Sequence, residues 1–271
     1  MEGCAGPDRF RPAAIGQRQA TIIVKEEHSV RFLLSAALVL IVANGSFGAD
    51  VAQSEEGFVS LFDGKTLDGW KVGDNASVFQ VHDGTIVMEC PQNVHGPAHL
   101  FYVGDVGHHD FKNFHLKVDV MTFPKANSGI YFHTKYQESD WPKFGIECQV
   151  DNSHGDWRRT GSLYGIRNIS WGPEAPSKNN KENVVILPKP PVVDNVWYTQ
   201  EVIYQDGQIT VKLDGKTMLE YKLPQADVEH KFPGRMTWLP RGTFALQGHP
   251  PMPGHISKAC FKNIRVKVLP D

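Results

Sequence analysis

Glu147, Gln149 and Asp151 alternate with Ile146, Cys148 and Val150 in the run Gly145-Ile-Glu-Cys-Gln-Val-Asp151. Read with the period of two of a β-strand, three oxygen-bearing groups share one face and three apolar side chains share the other. Three acceptors with no positive charge among them can hold a hard cation, bind sugar hydroxyls or pass a proton. The same alternation also describes a strand with one ordinary solvent-facing side.

The pattern recurs twice. Tyr131 and His133 share a face opposite Ile130 and Phe132, and Gln247 and His249 share a face opposite Phe244 and Leu246. A single histidine on a strand is usually a surface or hydrogen-bonded residue. If the three strands are neighbours, however, one concave face gathers Glu147, Gln149, Asp151, Tyr131, His133, Gln247 and His249 into a site. Between these strands lies Asp156-Trp157-Arg158-Arg159-Thr160-Gly161-Ser162-Leu163-Tyr164, with Trp141 upstream and Trp171 downstream. Aromatic faces beside Arg158 and carboxylates suit a ligand with apolar CH faces and many hydroxyls, as a sugar has. Any one of these tryptophans could equally fill the core.

The elements that must position these residues are strands. From Gly57 onward, runs rich in Val, Ile, Phe, Tyr and Trp alternate with Gly, Pro, Asn and Asp clusters. Asp83-Gly84, Asp206-Gly207 and Asp214-Gly215 are hairpin turn pairs, which makes Tyr198–Gln205, Gln208–Leu213 and Thr217–Tyr221 an antiparallel meander. His115–Phe123 and Phe261–Val268 are further strands, and Gln225–Lys231 allows at most one helical turn. Strands without helical crossovers predict an all-β antiparallel β-sandwich of jelly-roll type. Residues 168–195, rich in Pro, Asn and Lys, read as a long loop suited to a lid.

The chain has 271 residues, 41% of them hydrophobic, and a net charge of -2. That is enough for a sizeable core, and it offers no basic surface for nucleic acid. Arg31 precedes the twelve-residue apolar run 32–43, which ends in the small-residue exit Asn44-Gly-Ser-Phe-Gly-Ala49. This is the form of a secretory signal over 30–49, too short to span a bilayer, with cleavage after Gly48 or Ala49. The mixed-charge residues 1–29 read as a lead-in, with the true start near Val30. A single domain over 50–271 would then be secreted or periplasmic, with no membrane attachment after cleavage and no protein partner implied. Cys90, Cys148 and Cys260 have no metal-ligand spacing, and Cys148 reads as a small buried hydrophobe.

Six segments carry a family likeness. They are Gly57-Phe-Val-Ser-Leu-Phe-Asp-Gly-Lys-Thr-Leu-Asp-Gly-Trp70, Asn127-Ser-Gly-Ile130, Gly145–Asp151, Thr160-Gly-Ser-Leu-Tyr164, Leu246-Gln-Gly-His249 and the run 261–269. In this order, over nearly all of 56–269, the chain resembles the 3-keto-disaccharide hydrolase domain family. The resemblance implies a sandwich of the concanavalin A-like lectin and glucanase type, export, and action on glycosides whose sugar carries a ketone at C3. Asn127, in the second segment, joins the substrate-binding candidates Tyr131, Gln149, Arg158, Tyr164, Gln247, Trp141 and Trp157. Many members have Trp-Asn after the long loop, whereas this chain has Trp197-Tyr198.

Three chemistries remain open. A conventional retaining glycosidase of laminarinase type would pair Glu147 with Asp151, but four residues along a strand put the Cα atoms about 13 Å apart, beyond the roughly 5–9.5 Å between glycosidase carboxyls. A ketone at C3 acidifies the C2 proton, so that one base can remove it while the C1 substituent leaves and water then adds. Here His133 or His249 is the candidate base, Glu147 base or metal ligand, Gln149 and Asp151 ligands or orienting groups, and Arg158 and Tyr164 partners of the sugar hydroxyls. Glu147 and Gln149 are also a candidate pair for a Ca²⁺, Mg²⁺ or Mn²⁺ ion that would polarise the ketone. The third reading is a non-catalytic carbohydrate-binding module or lectin.

Overall fold

The structure is a computed structural model that describes residues 55–156, 158–165, 191–223 and 237–271 in full, and 168–171 and 184–187 as backbone. The lead-in, the signal segment, Trp157, the side chain of Trp171 and Gln225–Lys231 lie outside the described residues.

Among the described residues, sixteen strands form two sheets of eight. One runs in the order β14 (Lys216–Lys222), β13 (Gln208–Leu213), β12 (Tyr198–Gln205), β6 (Phe114–Thr122), β16 (Ser257–Val268), β4 (Thr85–Cys90) and β3 (Phe79–His82), with β1 (Val59–Ser60) also paired to β16. The other runs β11 (Val184–Leu187), β10 (Asn168–Trp171), β9 (Leu163–Tyr164), β8 (Ile146–Val150), β7 (Ser128–Thr134), β15 (Thr243–Gly248), β5 (Ala98–Tyr102) and β2 (Trp70–Val72). The expected all-β sandwich is what forms. The three Asp-Gly pairs close the hairpins β3–β4, β12–β13 and β13–β14, each with positive φ at both residues, as the strands' right-handed twist requires.

The stretch 168–195 is not one long loop. It contains β10 and β11, which pair in parallel from Asn168↔Val184 to Trp171↔Leu187. Ile169, Val185 and Ile186 are the kind of β-branched residues that favour such pairing, and the Pro and Lys around them hid the signal.

The inner faces of the two sheets meet in a single core that includes Leu100, Ile130, Phe132, Ile146, Cys148, Val150, Phe244 and Leu246 from one sheet and Leu116, Val118, Val120, Val202, Phe261 and Val266 from the other. Cys148 is wholly buried there, as its place on the apolar face predicts, and burial pushes its thiol up to about 12. Every residue of β8 is buried, so the polar side of that strand is not a solvated face.

Candidate active site

β8 and β7 pair with Glu147 opposite Tyr131 and Gln149 opposite Gly129, while β15 pairs with β7 through Ala245↔Tyr131. This register places Gln247, Tyr131, Glu147 and Gln149 on one face, away from the core. With Asn127, Trp141, Lys143, Arg158, Tyr164, Thr237 and His249 they line a cavity of about 620 Å³. The three strands singled out by alternation are therefore neighbours, and their polar faces do converge.

Glu147 lies at the centre and is 4% exposed. Tyr131 donates its hydroxyl to Glu147 Oε2 at 2.9 Å, and Gln247 Nε2 donates to Glu147 Oε1 at 2.9 Å and to the Tyr131 oxygen at 2.9 Å. The carboxyl can lie flat across the sheet because residue 129 is glycine. An ideal Cβ there would fall 2.2 Å from Glu147 Oε1. Burial pushes the Glu147 carboxyl up to about 7, against the opposing charge of Arg158 and the Tyr131 hydrogen bond. A carboxyl titrating there can give or take a proton near neutrality.

His249 follows β15 at the cavity wall. Its Nδ1 lies 2.7 Å from the Pro250 carbonyl, which can only accept, so the proton sits on Nδ1 and Nε2 keeps its lone pair. Burial lowers its pKa, which keeps the ring neutral. Trp141, 40% exposed, packs its ring 5.3 Å from His249 and 5.9 Å from His99. It offers an amphipathic platform at the mouth. Arg158 is ion-paired with Asp156 and lies 4.2 Å above the Tyr164 ring.

Two expected members of the site are elsewhere. His133 does not share a face with Tyr131. Its φ is +51°, and the β7–β15 register shifts between Thr243 and Ala245, so a bulge reverses the alternation and turns the ring into the core. There it packs against Tyr204, Trp238 and Phe114 with centroids 4.5, 4.8 and 5.5 Å away, and Nε2 meets the Lys112 carbonyl at 2.9 Å. Burial lowers its pKa to about 4. It is a core histidine.

Asp151 lies just past the end of β8, and its carboxylate serves the following loop. Arg159 Nη1 donates to Oδ2 at 3.0 Å and the His154 backbone N–H donates to Oδ1 at 2.8 Å. It does not line the cavity. The Glu147–Asp151 glycosidase pair is thus not assembled.

The cation pair Glu147–Gln149 does not fit the donors present either. Both Glu147 oxygens already receive hydrogen bonds, and no cluster of three His, Cys, Asp or Glu suited to a metal occurs among the described residues.

Alternation missed several residues. Lys143, Asp140 and Thr237 also line the cavity, but all three lie in connections. Lys143 and Thr237 are brought together by the Thr237 N–H donating to the Lys143 carbonyl at 2.7 Å. A period of two cannot find such residues. His99 does not line the cavity but packs against Tyr131 and Trp141 with centroids 5.3 and 5.9 Å away, and its place opposite Gln247 on β5, alternating with Leu100, was open to the same reading.

Two of the solved structures that resemble the chain share its fold over most of their length. One is a candidate glycosyl hydrolase from Parabacteroides distasonis ATCC 8503, 24% identical, covering 79% of this chain and 95% of its own, with a TM-score of 0.55. A second from the same organism, of the same description, is 18% identical and covers 78% and 99%, with a TM-score of 0.52. At these identities the likeness establishes a shared fold. No curated protein shows a significant sequence match. A family model described as the 3-keto-alpha-glucoside-1,2-lyase-like domain matches residues 57–267, and the chain belongs to that family.

Proposed function

We propose that the protein is an exported carbohydrate-active enzyme that cleaves the glycosidic bond of 3-keto-glycosides by eliminating the C1 substituent and then hydrating the product. One observation carries this reading: among the described residues of the cavity, Glu147 is the only buried carboxyl. Hydrolysis by a carboxyl pair needs a second one across the bond, whereas elimination from a ketone-activated sugar needs one base and one acid.

The protonation states divide these roles. His249, neutral with a free Nε2, takes the C2 proton. The electrons of that C–H bond pass through an enediolate at C2–C3, which the Lys143 side chain of the cavity wall is of the right type to stabilise. They then form the C1=C2 double bond and expel the C1–O bond, and Glu147 as a carboxylic acid protonates the departing oxygen. Hydration runs the same groups backward. Glu147 carboxylate takes a proton from the water attacking C1, and the His249 imidazolium returns one to C2. Arg158, Tyr164, Trp141 and Asn127 hold the sugar through its hydroxyls and CH faces.

Incubating the protein with a 3-keto-glucoside, its unoxidised parent and a β-glucan, each with and without chelator, tests the reading. Turnover of the keto sugar alone, insensitive to chelator, is expected. Cleavage of the β-glucan would return the conventional glycosidase, and binding of unmodified glycan without turnover would make the protein a binding module. Loss of activity with chelator would restore the cation.

The pH dependence has a definite sign. With Glu147 needed as the acid and titrating near 7, kcat/KM for the keto sugar falls about tenfold per unit above that pH. His249, its pKa lowered from 6.5, must lose activity on the acid side as Nε2 gains a proton. The maximum therefore lies on the weakly acidic side of neutrality. A profile still rising through pH 8 would mean that Glu147 is not the acid.

A further inference from the structure

From Glu147 the polar groups continue in a single line, through Gln149 and Asn127 at the cavity wall to His154, which does not line it. Gln149 lies with its amide end 2.8 Å from Glu147 Oε1. On its other side Gln149 Nε2 donates to Asn127 Oδ1 at 3.1 Å, and Asn127 Nδ2 faces His154 Nδ1 at 3.4 Å. The last contact fixes the direction of the others. The backbone N–H of Asp156 points at His154 Nδ1 from 3.0 Å. A backbone N–H can only donate, so Nδ1 is an acceptor and carries no proton.

Asn127 must then turn its NH₂ toward His154 and its carbonyl toward Gln149. Gln149 in turn must spend its NH₂ on Asn127, which leaves its carbonyl facing Glu147. Two acceptors at 2.8 Å are held together only if a proton lies between them. The alternative orientation lets the Gln149 NH₂ donate to Glu147 Oε1 at 2.8 Å and to the Ser128 carbonyl at 3.3 Å. That would force Asn127 to turn too and set its carbonyl against the His154 lone pair. Asn127 and Gln149 are 2% and 3% exposed, so water is poorly placed to relieve the conflict.

We infer that the chain His154–Asn127–Gln149, with its polarity set by the Asp156 amide, holds Glu147 as a neutral carboxylic acid and so prepares it as the proton donor. This deepens the reading above and rests on it for the donor's purpose, but not for the donor's state. The other groups facing Glu147 are Tyr131 from β7, Gln247 from β15, Tyr164 from β9, and Arg158 and Asp156 from the loop after β8. Tyr131, Gln247 and Arg158 favour the carboxylate. Asp156 opposes it, as does burial. The chain adds a directional preference for the acid that charge and burial do not supply. Gln149, Asn127 and His154 are on this view positioning residues.

The test is a titration without substrate. Full-length protein carrying [δ-¹³C]glutamate is followed by NMR, with the Glu147 carboxyl identified by its loss in Glu147→Gln. In the wild type this carboxyl is expected to be protonated at pH 6. His154, lowered to about 4 by burial, is already neutral there, so His154→Phe removes the Nδ1 acceptor without changing charge. It is expected to weaken proton binding at Glu147 about tenfold, one pH unit in the midpoint. Asn127→Leu cuts the same line at another point and should act alike. A wild-type Glu147 already ionised at pH 6 overturns the inference outright, as do folded variants that titrate like the wild type. Because no sugar is present, failure to turn over a keto sugar would sink the proposed reaction and leave this result standing.

Discussion

Glu147→Gln is expected to abolish turnover and at the same time stabilise the fold in alkaline solution. A general acid contributes roughly 10²–10⁴-fold, and glutamine cannot protonate the leaving oxygen, so kcat should fall within or beyond that range. The stability effect follows from linkage. The carboxyl rests at about 7 in the folded protein against 4.5 for an ordinary glutamate. A raised acid disfavours folding only where the unfolded chain would ionise it. The penalty is absent below about pH 4.5, grows through the interval between the two values and is complete above pH 7. Two to three units correspond to about 3 kcal/mol at ~1.4 kcal/mol per unit. The amide loses about 1 kcal/mol of this, because its NH₂ cannot accept from Gln247 as Glu147 Oε1 does. A gain on the order of 2 kcal/mol should therefore appear at pH 8 and vanish near pH 4.5. Denaturant unfolding of both proteins at the two pH values measures it. Equal stability at pH 8 would mean that Glu147 folds as an ordinary carboxylate, and its role as proton donor would go with that.

Such a trade of stability for function explains why alternation located the site but did not assign its parts. Glu147, Gln149, Tyr131 and Gln247 were legible because a strand displays every second residue on one face, and β7, β8 and β15 are neighbours in register. The sandwich was legible for the same reason, helped by Asp-Gly turns that admit little else. His133 was misread where the period itself fails. A bulge leaves no mark in composition, and the residue at φ +51° is neither Gly nor Asn. Asp151 was misread at the strand's end, where its carboxylate answers to Arg159 and the His154 amide rather than to the pleat. β10 and β11 were hidden by flanking Pro and Lys. Lys143 and Thr237 could be found only in three dimensions, because connections place residues by contact and not by period. The polarity of the line behind Glu147 could not be read from sequence at all. It depends on one backbone N–H, and every residue but proline has one.

Gly129→Ala should cost activity out of all proportion to the single methyl group it adds. The glycine lies on β7 directly opposite Gln149, beneath the Glu147 side chain. The added Cβ would stand 2.2 Å from Glu147 Oε1, 2.7 Å from Cγ and 2.8 Å from Cδ, all closer than non-bonded atoms approach. Gly129 is not among the glycines with positive φ, so alanine meets no backbone obstacle and the whole conflict falls on Glu147. The strand has little room to yield, because Gly129 is buried, paired with Gln149, and on a strand held between β8 and β15. The carboxyl must swing out of the place it shares with Tyr131 and Gln247, and the two hydrogen bonds that hold it cannot both survive. A displacement of about 1 Å in a catalytic group is enough for a loss on the order of 10²-fold, whereas overpacking of this kind costs about 1–3 kcal/mol of stability, which leaves a folded protein to assay. The expected result is a folded variant with kcat down on the order of 10²-fold and the Glu147 midpoint moved from its wild-type position. Wild-type turnover in Gly129→Ala would mean that the carboxyl does its chemistry from some other place. The close fit over Gly129 would then be packing alone.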